Sequence, residues 1–162
     1  MLIGILSDTH DKLARTRAAV ELLREAGAEM LFHCGDITEP PLVQACSVLP
    51  CHYVLGNNDC DMVPHLQQAI EGSGGVFLGW GGEVTLAGKR IAMAHGHLTR
   101  DLKPLLLAEP DYLFTGHSHI AGESGFGPTR RINPGALHRA RQFSVALLNL
   151  ATGELQFLTL PR

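Results

Sequence analysis

No stretch of the 162 residues approaches the ~18 consecutive apolar positions that a membrane-spanning helix requires. Met1-Leu2-Ile3 opens straight into apolar sequence with no basic segment or cleavage signal, so a cytoplasmic location is expected. Charged residues are scarce, at 18% against the ~25% of ordinary soluble domains, while 45% of residues are apolar. That composition excludes a disordered chain. There is no basic excess either: 13 Lys and Arg against 16 Asp and Glu give a net charge of −3, which excludes nucleic-acid binding driven by bulk charge. The four cysteines, Cys34, Cys46, Cys51 and Cys60, contain no C-x-x-C pair, which argues against a thiolate metal site or a disulfide framework. Aromatics are few, with one Trp and two Tyr. Against these shortages, nine histidines and 18 glycines stand out.

The length fits one domain, residues 1–162, with no linker, repeat or low-complexity tract. Leu2 to Leu6 reads as a strand buried on both faces. A helix is predicted from about Lys12 to Ala26, with Asp11 as N-cap, an apolar stripe of Leu13, Val20 and Leu23, and Gly27 as the stop. Met30 to Cys34 is a second strand, Pro40 to Leu49 a short helix and Cys51 to Leu55 a third strand, a pattern that predicts a parallel sheet with crossover helices. After the glycine-rich stretch 72–82, Glu83 to Leu86 and Arg90 to Ala94 read as a hairpin around Ala87-Gly88-Lys89. A helix near Leu102 to Ala108 precedes the strand Tyr112 to Phe114. The C-terminal third reads as β, at 121–126, 130–132, 144–150 and 155–160, and the whole as an α/β chain with a mixed or two-sheet core. The last hairpin is either core or an edge open to another subunit, making a homo-oligomer.

Each strong strand ends in a polar cluster: Asp8-Thr9-His10, Gly35-Asp36, Gly56-Asn57-Asn58-Asp59, His95-Gly96-His97 and Gly116-His117-Ser118-His119. Ligands of α/β sheets bind at the carboxyl ends of strands, so these clusters can converge on one crevice. Alternation along an extended segment would put both donors of D-x-H and of H-x-H on one side. Carboxylate, amide oxygen and imidazole suit Mn, Fe, Zn, Co or Ni better than Ca. Taken singly, each cluster is equally well explained as a turn or helix cap.

In this order the five clusters resemble the calcineurin-like metallophosphoesterases, and Asn133-Pro134-Gly135 resembles the small bacterial and archaeal phosphodiesterase branch. The resemblance implies an α/β fold: a two-sheet β-sandwich flanked by helices, in four layers. It implies two divalent metal ions, manganese first, one held by Asp8, His10, Asp36 and His119 and the other by Asp36, Asn57, His95 and His117. A metal-bridging hydroxide would attack the phosphorus of a small phosphoester in line. Asn58, Asp59 and His97 are the candidate catalytic neighbours, His97 being a residue on the substrate side or behind the ligands, or an ordinary loop residue, and Asp59 orienting Asn58 or a nearby histidine or only closing the turn. Many members of the family carry a histidine where this chain has Asn58, and asparagine cannot act as an acid near neutral pH. Activated aryl phosphodiesters are therefore expected to outrun alkyl esters, unless His97 or a water supplies the proton. Ala136 stands where the small phosphodiesterases often have a serine, so a hydroxyl that could hold this loop is missing.

Among the remaining histidines, His33 is expected to be a hydrogen-bonded core residue, and His52, His65 and His138 have no assigned site role. Arg130, Arg131, Arg139 and Arg141 form either a solvated loop or a rim that steers a substrate phosphate. Two other readings compete with the phosphodiesterase: a non-catalytic metal-binding scaffold of the same fold, and a small-molecule phosphomonoesterase.

Overall fold

A computed structural model of the chain describes residues 1–162. Strand β1 (Leu2–Leu6) puts Ile3 and Ile5 on one face and Gly4 and Leu6 on the other. Both faces are buried, which is why the run is continuously apolar instead of alternating. Helix α1 (Leu13–Glu25) buries Thr16, Ala19, Val20 and Leu23. Its N-cap is Lys12 with no side-chain cap bond, not Asp11, whose carboxylate pairs with Lys12 Nζ at 2.7 Å. The entry is set instead by a backbone turn, Lys12 N–H to Thr9 O, that contains the left-handed His10. The exit is as expected. Gly27 at φ +92 donates to Arg24 O while Ala28 donates to Leu23 O, the double closure that glycine permits after a helix.

Strands β2 (Met30–His33) and β3 (Cys51–Tyr53) extend the sheet in parallel, with α2 (Pro40–Cys46) between them. This helix stops before Leu49 because Ser47 turns back onto Gln44 O. Helix α3 (Val63–Gly72) was not expected: it follows a tight 3-10 turn at Asn57–Met62, starts with a proline in its first turn, and fully buries only Leu66 and Ile70. Two buried positions one helical turn apart are too thin a stripe to read from sequence. The glycine-rich stretch likewise hides a two-residue strand, β4 (Val76–Phe77), parallel to β3.

The second sheet begins with the predicted hairpin of β5 (Gly81–Leu86) and β6 (Lys89–Ala94), turned by left-handed Ala87 and Gly88. Helix α4 (Thr99–Leu107), β7 (Tyr112–Phe114), β8 (Gly122–Phe126) and β9 (Thr129–Asn133) follow. The chain then returns to the first sheet as β10 (Phe143–Asn149) and β11 (Leu155–Leu160). The orders are β11-β10-β1-β2-β3-β4 and β5-β6-β7-β9-β8.

Two apolar layers hold this together. Between the sheets lie Ile3, Ile5, Phe32, Ile91, Met93, Phe114 and Leu148; on the outer face of the first sheet, Leu31, Tyr53 and Val145 meet Leu23 of α1, Leu42 of α2 and Leu66 of α3. Gly4 lets α1 approach, since a Cβ there would lie 2.8 Å from Leu23 Cδ1 and from Leu31 Cδ2. Helix α4 covers the far face of the second sheet against β5 and β6. The result is the four-layer α/β sandwich implied by the sequence resemblance. No helix is long and apolar enough to cross a membrane.

Candidate metal centre

The carboxyl ends of β1, β2, β3, β6 and β7 open at one end of the sandwich, and their loops are tied together by backbone bonds. Asp8 N–H donates to Gly35 O at 3.0 Å, His10 N–H to Asp36 O at 2.9 Å, and Gly116 N–H to His95 O at 3.0 Å. Asp8, His10, Asp36, His117 and His119 all adopt left-handed backbone, at φ 53, 45, 57, 67 and 58. The donors of D-x-H and of the last H-x-H are therefore brought together by tight turns beyond the strand ends, and not by alternation along an extended segment. Such conformations cost about 1–3 kcal/mol each and persist where surrounding bonds impose them. Gly56 is required by crowding: a Cβ there would run into the Asp36 carboxylate.

Asp8 Oδ1 lies 3.1 Å from His119 Nε2 and 3.8 Å from His95 Nε2. Asp36 Oδ2 lies 3.5 Å from His10 Nε2 and 3.4 Å from His95 Nε2, so it stands between the two imidazoles. Two donor groups emerge, Asp8 with His10 and His119, and Asp8 with Asp36 and His95, the atoms of each within 4.8 Å of one another. Asp8 Oδ1, His10 Nε2 and His95 Nε2 are buried without a hydrogen-bond partner. Orphaned atoms of this kind cost free energy that a coordinated cation would recover. The far nitrogens are engaged: His95 Nδ1 contacts Cys34 O at 2.7 Å and His119 Nδ1 contacts Arg139 O at 3.4 Å. A protonated Nδ1 donating to a carbonyl leaves the Nε2 lone pair facing the cluster. These residues fit a divalent cation with mixed oxygen and nitrogen ligands.

Burial by itself would raise the pKa of Asp36, but His95 and two donors from Asn58 outweigh it and hold the carboxyl below the usual range. Burial works against a charged His95, yet Asp36 and Asp8 raise its pKa above the ordinary value. For His10 burial prevails over the same two carboxylates and lowers the pKa.

A cleft of about 380 Å³ opens onto the cluster, lined by His10, Asp36, Asn57, Asn58, His117, His119, His138 and Arg139, with no apolar residue among them. His117 donates its backbone N–H to Asp8 Oδ2 at 3.1 Å, and its ring lies 5.2 Å from that of His95. Asn57 is exposed on the wall. Asn58 donates twice to Asp36, from its backbone N–H to Oδ1 at 2.9 Å and from Nδ2 to Oδ2 at 2.7 Å. Asp59 is buried beneath the loops, where it accepts from the N–H groups of Asp36, Thr38 and Gly56 at 3.0, 2.7 and 2.7 Å. His97 does not line the cleft; its ring packs 5.4 Å from His95, 6.0 Å from His117 and 6.1 Å from Trp80.

Sequence reasoning gave His138 no site role and the Asn133 side chain no task, and raised Arg139 only within a cluster read as either a solvated loop or a phosphate-steering rim. His138 packs against His10 with ring centroids 4.3 Å apart, and Arg139 lines the cleft beside it. Of the basic cluster Arg139 alone reaches the cleft, since Arg130 pairs with Glu123 and Arg131 donates to Thr115. Asn133 braces the 116–119 loop by donating to Gly116 O at 2.7 Å and Ser118 Oγ at 3.0 Å. The hydroxyl absent at Ala136 is supplied from β10, where Ser144 Oγ donates to Pro134 O at 2.8 Å. The basic stretch around His138 was the signal for this wall, and it did not say which of its arginines would face the cleft.

Buried carboxylates and imidazoles gathered at the common strand end of a two-sheet sandwich place the chain among the metal-dependent phosphoesterases. It belongs to the calcineurin-like phosphoesterase superfamily, whose domain model matches residues 1–153. It is 28% identical over 141 residues to the phosphodiesterase MJ0936 of Methanocaldococcus jannaschii, covering 83% of each chain. It is 29% identical over 152 residues to the probable metallophosphoesterase YsnB of Bacillus subtilis, covering 87% of this chain and 78% of the relative. Among solved structures, a novel archaeal phosphodiesterase superposes with a TM-score of 0.89 at 24% identity, over 99% of this chain and 100% of the other.

Proposed function

We propose that this chain is a dinuclear metal-dependent phosphodiesterase acting on a small phosphoester. In this reading Asp8, His10, Asp36 and His119 hold one ion and Asp36, Asn57, His95 and His117 the second, with manganese the first choice. The observation that carries it is the convergence of three buried, unpartnered ligand atoms, Asp8 Oδ1, His10 Nε2 and His95 Nε2. Bound there, divalent ions supply an activated water and neutralise phosphate charge for in-line displacement. The protein's part is to present ionised Asp36 between His10 and His95, and to hold it there through Asn58. Asn58 can donate a hydrogen bond but no proton, so aryl leaving groups are favoured over alkyl ones. The diesterase reading is supported by the relative named a phosphodiesterase. Four free cysteines fit a reducing, cytoplasmic compartment, with residues 1–162 acting as one domain.

The test uses metal-stripped protein given Mn, Ni or Zn and offered a bis-aryl phosphate, an aryl monophosphate and an alkyl diester. Metal-dependent turnover fastest on the bis-aryl diester is expected, with Asp36→Ala losing both activity and bound metal. Absence of turnover with every metal in folded protein would overturn the reading in favour of a scaffold. A faster monoester would make the protein a phosphomonoesterase.

A further inference from the structure

Arg139 is a cation on the cleft wall with no partner. Arg24, Arg90, Arg100 and Arg130 each close on a carboxylate, and Arg15, Arg131 and Arg162 donate to backbone or hydroxyl oxygens; Arg17, Arg139 and Arg141 do neither, and of these three the exposed Arg139 alone lines the all-polar cleft at the donor cluster. Its backbone is built into place. Arg139 sits at φ +45, a left-handed conformation that arginine adopts only under constraint, and its carbonyl meets His119 Nδ1. The preceding residues are pinned from two sides: Leu137 N–H donates to Asp8 O at 3.3 Å, and Arg15 donates to Leu137 O at 2.6 Å while its guanidinium lies 3.6 Å over the Phe143 ring. The wall is thus tied to the donor cluster, and the His138 ring packs 4.3 Å from that of His10 on the same cleft.

Charge balance says what such a cation is for. Were two divalent ions held there, their charge would be offset by the Asp8 and Asp36 carboxylates, by deprotonation of one water and by the single charge of a phosphodiester. Nothing on the scissile group is left for a further cation to neutralise. An unpaired guanidinium in an all-polar cleft therefore suits a second anion on the substrate, and its planar fork matches a phosphate with two parallel N–H donors.

We propose that Arg139, backed by His138, is a specificity subsite for a second phosphate group, so that the substrate is a phosphodiester carrying an additional terminal phosphate. This rests on the diesterase reading above and names the class of diester within it.

The test compares the p-nitrophenyl ester of thymidine 5′-phosphate bearing a 3′-terminal phosphate with the same aryl diester lacking it, on the metal-loaded protein. The wild type is expected to prefer the phosphorylated form. Arg139→Ala should remove that preference, lowering kcat/KM for the phosphorylated form roughly 10- to 100-fold, chiefly through KM, while changing the other less than about 3-fold. Arg139→Lys should recover only part of the loss, because it restores charge without the fork. Equal losses on both aryl diesters, or none, would overturn the subsite, and a loss confined to an aryl monophosphate assayed beside them would assign Arg139 to a scissile dianion instead. Calorimetric binding of the same pair separates the two claims. An Arg139-dependent preference in binding without turnover of any diester keeps the subsite and removes the diesterase, whereas turnover with no Arg139-dependent preference does the reverse.

Discussion

His33 illustrates how one side chain beneath the site is specified by its bonds. Its Nδ1 accepts the Gly35 N–H at 3.3 Å, so the proton resides on Nε2 and is donated to Thr9 Oγ1 at 3.0 Å. The ring is therefore neutral, and complete burial pushes its pKa down to about 3. An unfolded histidine titrates near 6.5. Between those values the unfolded chain holds the extra proton, so this residue makes stability fall as pH drops from about 6.5 towards 3, by up to about 1.4 kcal/mol per pH unit. Urea denaturation of chelator-treated protein at pH 7, 6 and 5 should show a steeper loss for the wild type than for His33→Gln. Identical slopes would show that His33 does not titrate differently on folding. The core role of His33 was readable because it sits inside an apolar strand; the cleft role of His138 was not, because its loop has no periodicity to orient it.

At the scale of elements, the loops at the strand ends matter more than the strands. Asp59 joins two of them by accepting N–H groups from the Gly35–Thr38 segment and from Gly56. Asp59→Asn replaces one acceptor oxygen with a donor facing an N–H, and should cost about 1–3 kcal/mol of stability. Metal affinity should fall with it, because Asp36 loses its backbone anchor; a metal titration that matched the wild type would restrict Asp59 to a purely structural role. Elements with a strong local signal were legible, such as β7 and β11, whose bounds match their apolar runs. Helix α3 and β4 were not, because each contributes only one or two side chains to a core supplied by distant residues.

At the scale of the whole molecule, a metal ion held by these donors would couple its binding to folding, since the donor set is drawn from both sheets and from loops far apart in sequence. Saturating metal at about 100 times its dissociation constant adds ~2.7 kcal/mol, which for a chain of this size raises the melting temperature by roughly 5–10 °C. Thermal unfolding of chelated protein before and after adding manganese should show that rise, and Asp36→Ala should abolish it. An unchanged melting temperature in the wild type would mean that the site does not hold an ion. The sequence by itself determined the parallel βαβ start, the C-terminal hairpin and the donor types at the strand ends, because strand ends and residue chemistry are local properties. Which donors meet, which arginine faces the cleft and which carboxylate serves as a clamp were decided only by tertiary structure. Those outcomes depend on left-handed turns and on backbone bonds between loops such as Asp8 to Gly35 and Gly116 to His95, and neither has a counterpart in the order of residues along one segment.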